Sequence, residues 1–245
     1  MKMLVFTMHD DDFHVFTQHT LPNKEEYCER HGYELRFGDF SEPVPEPNID
    51  KTISSHRKLC QIKQQLVQCL GEYDWLCWID GDAIIMNYKI QLESFVDDTH
   101  DLIIGEDWNG LNAGVFFLRV CQESIDFMTN CIEYKPTEDD RKDTPEWWWP
   151  SEQCAYTKLL PTIKSKIVNH SEFNGYVLKP IYNGYYSNDK FIPQIAHNDW
   201  RHMNIGSYTF EYRPFQIGDF ILHITSGSIE YKLPYLYKYL GRIVK

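Results

Sequence analysis

Strands alternating with helices along 245 residues predict an α/β domain, with a mainly parallel mixed sheet flanked by helices. Three observations carry this. An apolar run opens the chain at residues 3–8. A second run, Trp75 to Ile79, has no polar alternation, as expected of a strand buried on both faces. Between them, Leu59, Ile62, Leu66, Cys69 and Leu70 recur on one helical face.

The elements follow in order. Residues 4–8 form the first buried strand, and 9–13 a polar loop at its C-terminal end. Residues 23–31 have helix-forming composition, with Gly32 as C-cap. Residues 33–37 are a second short strand and 41–50 a Pro-rich loop. A helix capped by Ser54 or Ser55 runs to Leu70, where Gly71 ends it. After the strand at Trp75, residues 101–105 and 114–118 are strands around a loop, 106–112. Residues 124–132 are helical. Residues 133–150, polar and ending in Trp147-Trp148-Trp149, form an irregular loop. Ser151 caps a helix over 152–160, whose first-turn acid suits the helix dipole. Residues 176–181 and 220–224 are late strands. Leu233, Leu236, Tyr237 and Leu240 make a terminal amphipathic helix closed by Gly241.

The composition excludes several classes. A formal charge of -12 argues against a nucleic-acid backbone or an anionic membrane as partner. Seven cysteines, an odd number without a C-x-x-C pair, read as apolar packing in a reducing compartment. No run approaches the roughly 20 apolar residues of a membrane span. With neither signal nor anchor visible, the expectation is a soluble, cytoplasmic protein of viral or microbial source. Aromatics at 15% suit an aromatic core and a site that packs against sugar rings equally well.

The chemistry concentrates at residues 73–87. The apolar strand stops abruptly at Asp80 and Asp82, one residue apart, and a second apolar run begins at Ala83. Two acids there, read as unpaired, are expensive to desolvate unless something cationic meets them. A divalent metal at the C-terminal edge of the sheet is the simplest answer, since open α/β folds bind ligands there.

Several segments together resemble glycosyltransferase family 34, which holds fungal Golgi α-galactosyl- and α-mannosyltransferases and plant xyloglucan xylosyltransferases. Asn23, Lys24, Tyr27, His31, Gly32 and Tyr33 resemble its N-K-x-x-Y-x-x-x-H-G-Y pattern. Trp78 to Asn87 is similar to its W-x-D-x-D-A-x-I-M-N strand, and Asp107 to Gly114 to its D-W-N-G-L-N-x-G loop. Glu152, Gln153, Ala155, Leu159 and Leu160 resemble its acid-Gln-x-A-x-x-x-L-L helix, and His223 its late histidine. The family places a glycine three residues after that histidine with a lysine close behind. Here Gly227 stands four residues after His223, and the next lysine is Lys232.

The resemblance implies a single GT-A glycosyltransferase domain over 1–245, with 1–105 as nucleotide-binding half and 106–245 as acceptor-binding half. It implies Mn²⁺ or Mg²⁺ held by Asp80, Asp82 and His223, with Glu152 and Gln153 as catalytic residues of a retaining transferase. Donor and acceptor contacts are implied for Thr7, Lys58, Asp80, Gly81, Asp82, Asp107, Asn112, Ala113, Gly114, Gly227 and Lys232. The implied partners are a nucleotide-sugar donor, UDP-xylose or UDP-galactose ahead of GDP-mannose, and an oligosaccharide or glycoprotein acceptor. Two other readings fit the paired acids. A metal-dependent nucleotidyltransferase or phosphohydrolase would act without a sugar acceptor. A sugar-nucleotide or glycan-binding module would bind without turnover.

Overall fold

The computed structural model describes residues 1–9, 13–39, 54–107, 110–135, 137, 139–140, 152–176, 184–187, 190–193, 203–205, 208–210, 215–224 and 229–245. The expected loop 41–50, Trp147 to Trp149, Ser151, Gly227 and most of 176–181 lie outside these, as does the side chain of Asp107.

Six strands form the central sheet in the order β2-β1-β3-β6-β5-β7. They are β1 (Met3–His9), β2 (Glu34–Asp39), β3 (Trp75–Ile79), β5 (Leu102–Asp107), β6 (Gly110–Arg119) and β7 (Ser165–Asn169). Pairings β1–β2, β1–β3 and β5–β7 are parallel, and β6 is antiparallel to both β3 and β5. A three-stranded sheet stands beside it, with β13 (Ile221–His223) antiparallel to β4 (Ala83–Ile85) and parallel to β8 (Gly175–Tyr176). Two hairpins complete the described strands: β9 (Gly184–Ser187) with β10 (Lys190–Pro193), and β11 (Met203–Ile205) with β12 (Tyr208–Phe210). The helices are α1 (His14–His31), α2 (Ser54–Cys69), α3 (Gln122–Glu133), α4 (Glu152–Leu159) and α5 (Ile229–Leu240). Among the described residues no helix is long and apolar enough to cross a membrane.

Strand alternation splits the core. Leu4, Phe6 and Met8 point towards α2, α3 and α4, where Leu59, Ile62, Phe127 and Tyr156 meet them. Met3, Val5 and Trp75 point the other way, onto Tyr27 and Cys28 of α1 and onto the small sheet. Phe16 of α1 and Leu236 of α5 close the far side of that small sheet over Ile84 and Leu222. Each such side chain contributes about 1.5–3 kcal/mol when fully buried. Cys28, Cys60, Cys69, Cys77 and Cys131, none in a disulfide, pack among these apolar groups.

Several sequence expectations are corrected. The first helix begins at His14, not near Asn23, and continues through Pro22. Its buried residues include Thr17, Thr20, Asn23 and Lys24, so no apolar period announces it. Gly32 ends it as expected, with φ 72. The expected loop 106–112 is mostly strand, because Glu106 and Asp107 pair with Leu111 and Gly110. The apolar run after Asp82 is a strand, as expected, and starts the small sheet as β4. Strand β7 and the two hairpins are additional.

Candidate active site and metal centre

The turn from β3 to β4 carries Asp80, Gly81 and Asp82. The Asp80 N–H donates to Gly114 O on β6 at 2.8 Å, and the Ala83 N–H closes the turn onto Asp80 O at 3.1 Å. Main-chain bonds thus place the first acid against the central sheet.

Lys58 of α2 reaches the same point. Its buried ammonium donates to Ala113 O at 2.6 Å, Asp80 Oδ1 at 3.0 Å and Glu152 Oε1 at 3.4 Å. The Trp78 indole N–H donates to the same Asp80 oxygen at 2.7 Å. Burial alone would lower the Lys58 pKa, but Asp80 and then Glu152 outweigh it and hold it above the ordinary value. Lys58 therefore stays charged and ties Asp80 to Glu152, the first residue of α4.

Asp82 meets other partners. His223 Nε2 lies 2.9 Å from Asp82 Oδ1, and Lys232 of α5 donates to Asp82 Oδ2 at 2.5 Å. Burial would raise this carboxyl, but His223 and then Lys232 hold it well below the usual carboxylate range. His223 Nε2 is also 3.7 Å from Asp80 Oδ2. One ligand atom from each of Asp80, Asp82 and His223 lies within 4.8 Å of the others. Two carboxylate oxygens and an imidazole nitrogen form a hard, mostly oxygen donor set, which fits Mn²⁺ or Mg²⁺. The expectation that the acids stand unpaired is corrected: Lys58, His223 and Lys232 already meet them.

Gly114 makes room for the histidine. A Cβ there would lie 2.2 Å from His223 Cε1. Asn112 supports the strand, its Oδ1 accepting from the Gly114 N–H at 2.8 Å and from Asn174 Nδ2 at 2.9 Å. Gln153 is likewise tied to β6, donating to Leu111 O at 2.9 Å. In front of the turn opens a cleft of about 250 Å³, lined by Met8, His9, Phe13 and Ser55 together with Lys58, the acids and Glu152.

The structure thus gathers Lys58, Asp80, Gly81, Asp82, Glu152, His223 and Lys232, with Asn112, Ala113, Gly114 and Gln153 supporting them from β6 and α4. Thr7 is not in the cleft. It is buried, and strand alternation sends it to the α1 face; Met8, on the opposite face, and His9, at the strand's end, line the cleft instead.

Sequence reasoning assigned no role to the rear of the turn. Thr20 Oγ1 donates to Gly81 O at 2.6 Å, and Lys24 Nζ to Ala83 O at 2.8 Å and Gly81 O at 3.5 Å. Burial depresses the Lys24 pKa to about 8, against the opposing pull of Asp82 and Asp80. The signal was present in the Asn23-Lys24 pair, which reads as helix composition and as part of the family pattern, without a role at the turn until the helix is seen to back onto it.

Residues 3–100 match the model of the galactosyl transferase GMA12/MNN10 family. Probable glycosyltransferase 7 of Oryza sativa subsp. indica is 29% identical over 161 residues, 62% of this chain and 32% of that protein. Galactomannan galactosyltransferase 1 of Cyamopsis tetragonoloba is 26% identical over 161 residues, 61% and 32%. Xyloglucan 6-xylosyltransferase 4 of Arabidopsis thaliana is 26% identical over 131 residues, 50% and 24%. The chain spans about a third or less of the length of these relatives. Among solved structures, a glycosyltransferase involved in the glycosylation of the major capsid of PBCV-1 aligns with TM-score 0.56 and 20% identity, over 72% of this chain and 86% of that one. The galactosyltransferase LgtC aligns with TM-score 0.50 and 12% identity, over 99% and 96%. The fold is that of the GT-A glycosyltransferases. The family resembled by the motifs is thus the one whose model matches residues 3–100, the stretch that runs from β1 past the two acids.

Proposed function

We propose that this chain is a metal-dependent, retaining glycosyltransferase that moves a sugar from a nucleotide-sugar donor to a glycan hydroxyl. The observation that carries this reading is the convergence of Asp80, Asp82 and His223 beside a cleft that also holds Lys58 and Glu152. Relatives named as galactosyl- and xylosyltransferases favour a UDP-sugar donor, galactose or xylose, over GDP-mannose. Mn²⁺ or Mg²⁺ held by the three residues supplies positive charge for the donor diphosphate when bound.

The chain's own groups divide the remaining work. Three carboxylates, Asp80, Asp82 and Glu152, are balanced by three lysines, Lys24, Lys58 and Lys232. Such a site accepts a divalent cation and a diphosphate of opposite charge together without accumulating net charge. Lys58 holds Glu152 by its charge, so this carboxylate stays aimed at the cleft. From there Glu152 stabilises the positive charge that develops at the anomeric carbon. Lys232, now on Asp82, is the cation assigned to the donor diphosphate in this reading.

Incubation with Mn²⁺ and a panel of UDP- and GDP-sugars, with oligosaccharide acceptors, tests the reading. Proton NMR of the first-formed product should show an α linkage from an α-linked donor. Donor turnover that releases free phosphate and needs no acceptor would favour a phosphohydrolase. A β product would make the enzyme an inverting one.

A further inference from the structure

Helix α1 grips the chain just behind the two acids. Thr20 and Lys24 hold the carbonyl of Gly81, and Lys24 also holds that of Ala83, the two residues flanking Asp82. Farther along, Asn23 bonds both the N–H and the C=O of Ile85, and Tyr27 donates to Ile90 O. One helix face thus satisfies main-chain groups at 81, 83, 85 and 90. The front of the turn is fixed separately, through Asp80 N to Gly114 O.

Lys24 is an expensive way to satisfy two carbonyls. It is fully buried, and its hydrogen-bond partners are both main-chain oxygens. A neutral donor would satisfy the same groups without burying a charge. What a lysine adds is a fixed cation beneath a turn that projects two carboxylates the other way. From this arrangement we infer that Lys24, with Thr20, is a positioning pair for the metal centre: it locks the peptides at Gly81 and Ala83 so that Asp80 and Asp82 present to one ion. The inference rests on the reading of Asp80, Asp82 and His223 as metal ligands.

Positioning and plain electrostatics make opposite predictions. Removing a buried cation should by charge alone tighten binding of a divalent ion. Loss of positioning should weaken it, as loss of supporting shells does at metal sites by roughly 10–100-fold. The test is Mn²⁺ binding to the full chain, by calorimetry and by electron paramagnetic resonance of the free ion, with no donor present. Lys24→Met and the uncharged, near-isosteric Thr20→Val should each weaken Mn²⁺ at least about tenfold. Tyr27→Phe, on the same helix but bonded to Ile90, should lower thermal stability and leave Mn²⁺ affinity within about twofold. Unchanged or tighter binding in folded Thr20→Val and Lys24→Met proteins overturns the positioning role and leaves the metal site standing. A wild-type chain that binds neither Mn²⁺ nor Mg²⁺ overturns the metal site, and the positioning role with it.

Discussion

The two faces of the turn at Asp80–Asp82 solve one problem by different means. In front, charge meets charge: Lys58 lies on Asp80 and Glu152, and Lys232 on Asp82. Behind, a lysine and a threonine meet carbonyls. Lys58 and Lys24 show what the difference does. Both are buried, yet Lys58 is shifted up and Lys24 down to about 8. Burial lowers both, and carboxylates in direct contact reverse it for one of them only. The front can exchange its protein cations for others, because its ligands are ionic and border a cleft. The rear has only neutral acceptors, which suits a scaffold that stays put.

The sharpest way to break this contrast is at Asp82. Asp82→Asn should abolish metal-dependent turnover, by roughly a thousandfold or more, since a ligand and a charge go together. It should also destabilise the free protein by about 3 kcal/mol, because Lys232 is left buried without its carboxylate. Chemical denaturation without metal checks the second effect. A variant as stable as wild type would mean that the front ion pairs contribute nothing to folding.

A gentler break is steric. Gly114→Ala puts a methyl 2.2 Å from His223 Cε1, so the imidazole must move. The expected cost is about 1–3 kcal/mol in stability, with weaker Mn²⁺ binding. Calorimetric titration with Mn²⁺ reads the second quantity.

The smallest effect sharpens the rear. The folded Lys24 pKa of about 8 lies below the 10.5 of a free lysine, so the folded chain binds fewer protons between those values. Stability then rises with pH through that window, as the cost of the buried charge is relieved. Relative to Lys24→Met, the wild type should gain about 2 kcal/mol from pH 7.5 to 9.5. Denaturation midpoints of the pair at the two pH values give the difference. A difference that stays constant with pH would show that Lys24 keeps its proton, and that the rear is as ionic as the front.

The front of the site was far more legible in the sequence than the rear. Asp80 and Asp82 interrupt an apolar strand, which is a local contrast that a linear reading detects. His223 and Glu152 lack such contrast, and only the order of the motifs pointed to them. The rear escaped because periodicity registers apolar residues, while α1 buries Thr17, Thr20, Asn23 and Lys24. Those polar groups read as solvent-facing until the carbonyls opposite them are known. Thr7 was misplaced for a related reason. Being near a strand end does not say which face a side chain takes, and one residue of register decided it. The fold class followed from the alternation of elements. The small sheet did not, because the pairing of β4 with β13 joins residues far apart in sequence.

That small sheet gives the turn a further property. Asp80 is fastened to the large sheet, through Gly114 and Lys58, while Asp82 is fastened to the small one and its helix, through His223, Lys232 and the Ile224 N–H at 3.5 Å. Two acids one residue apart in the chain therefore stand on opposite banks of a seam. Any ligand that draws both together works as a rivet across it, and any slip between the sheets is felt as a change in their bite.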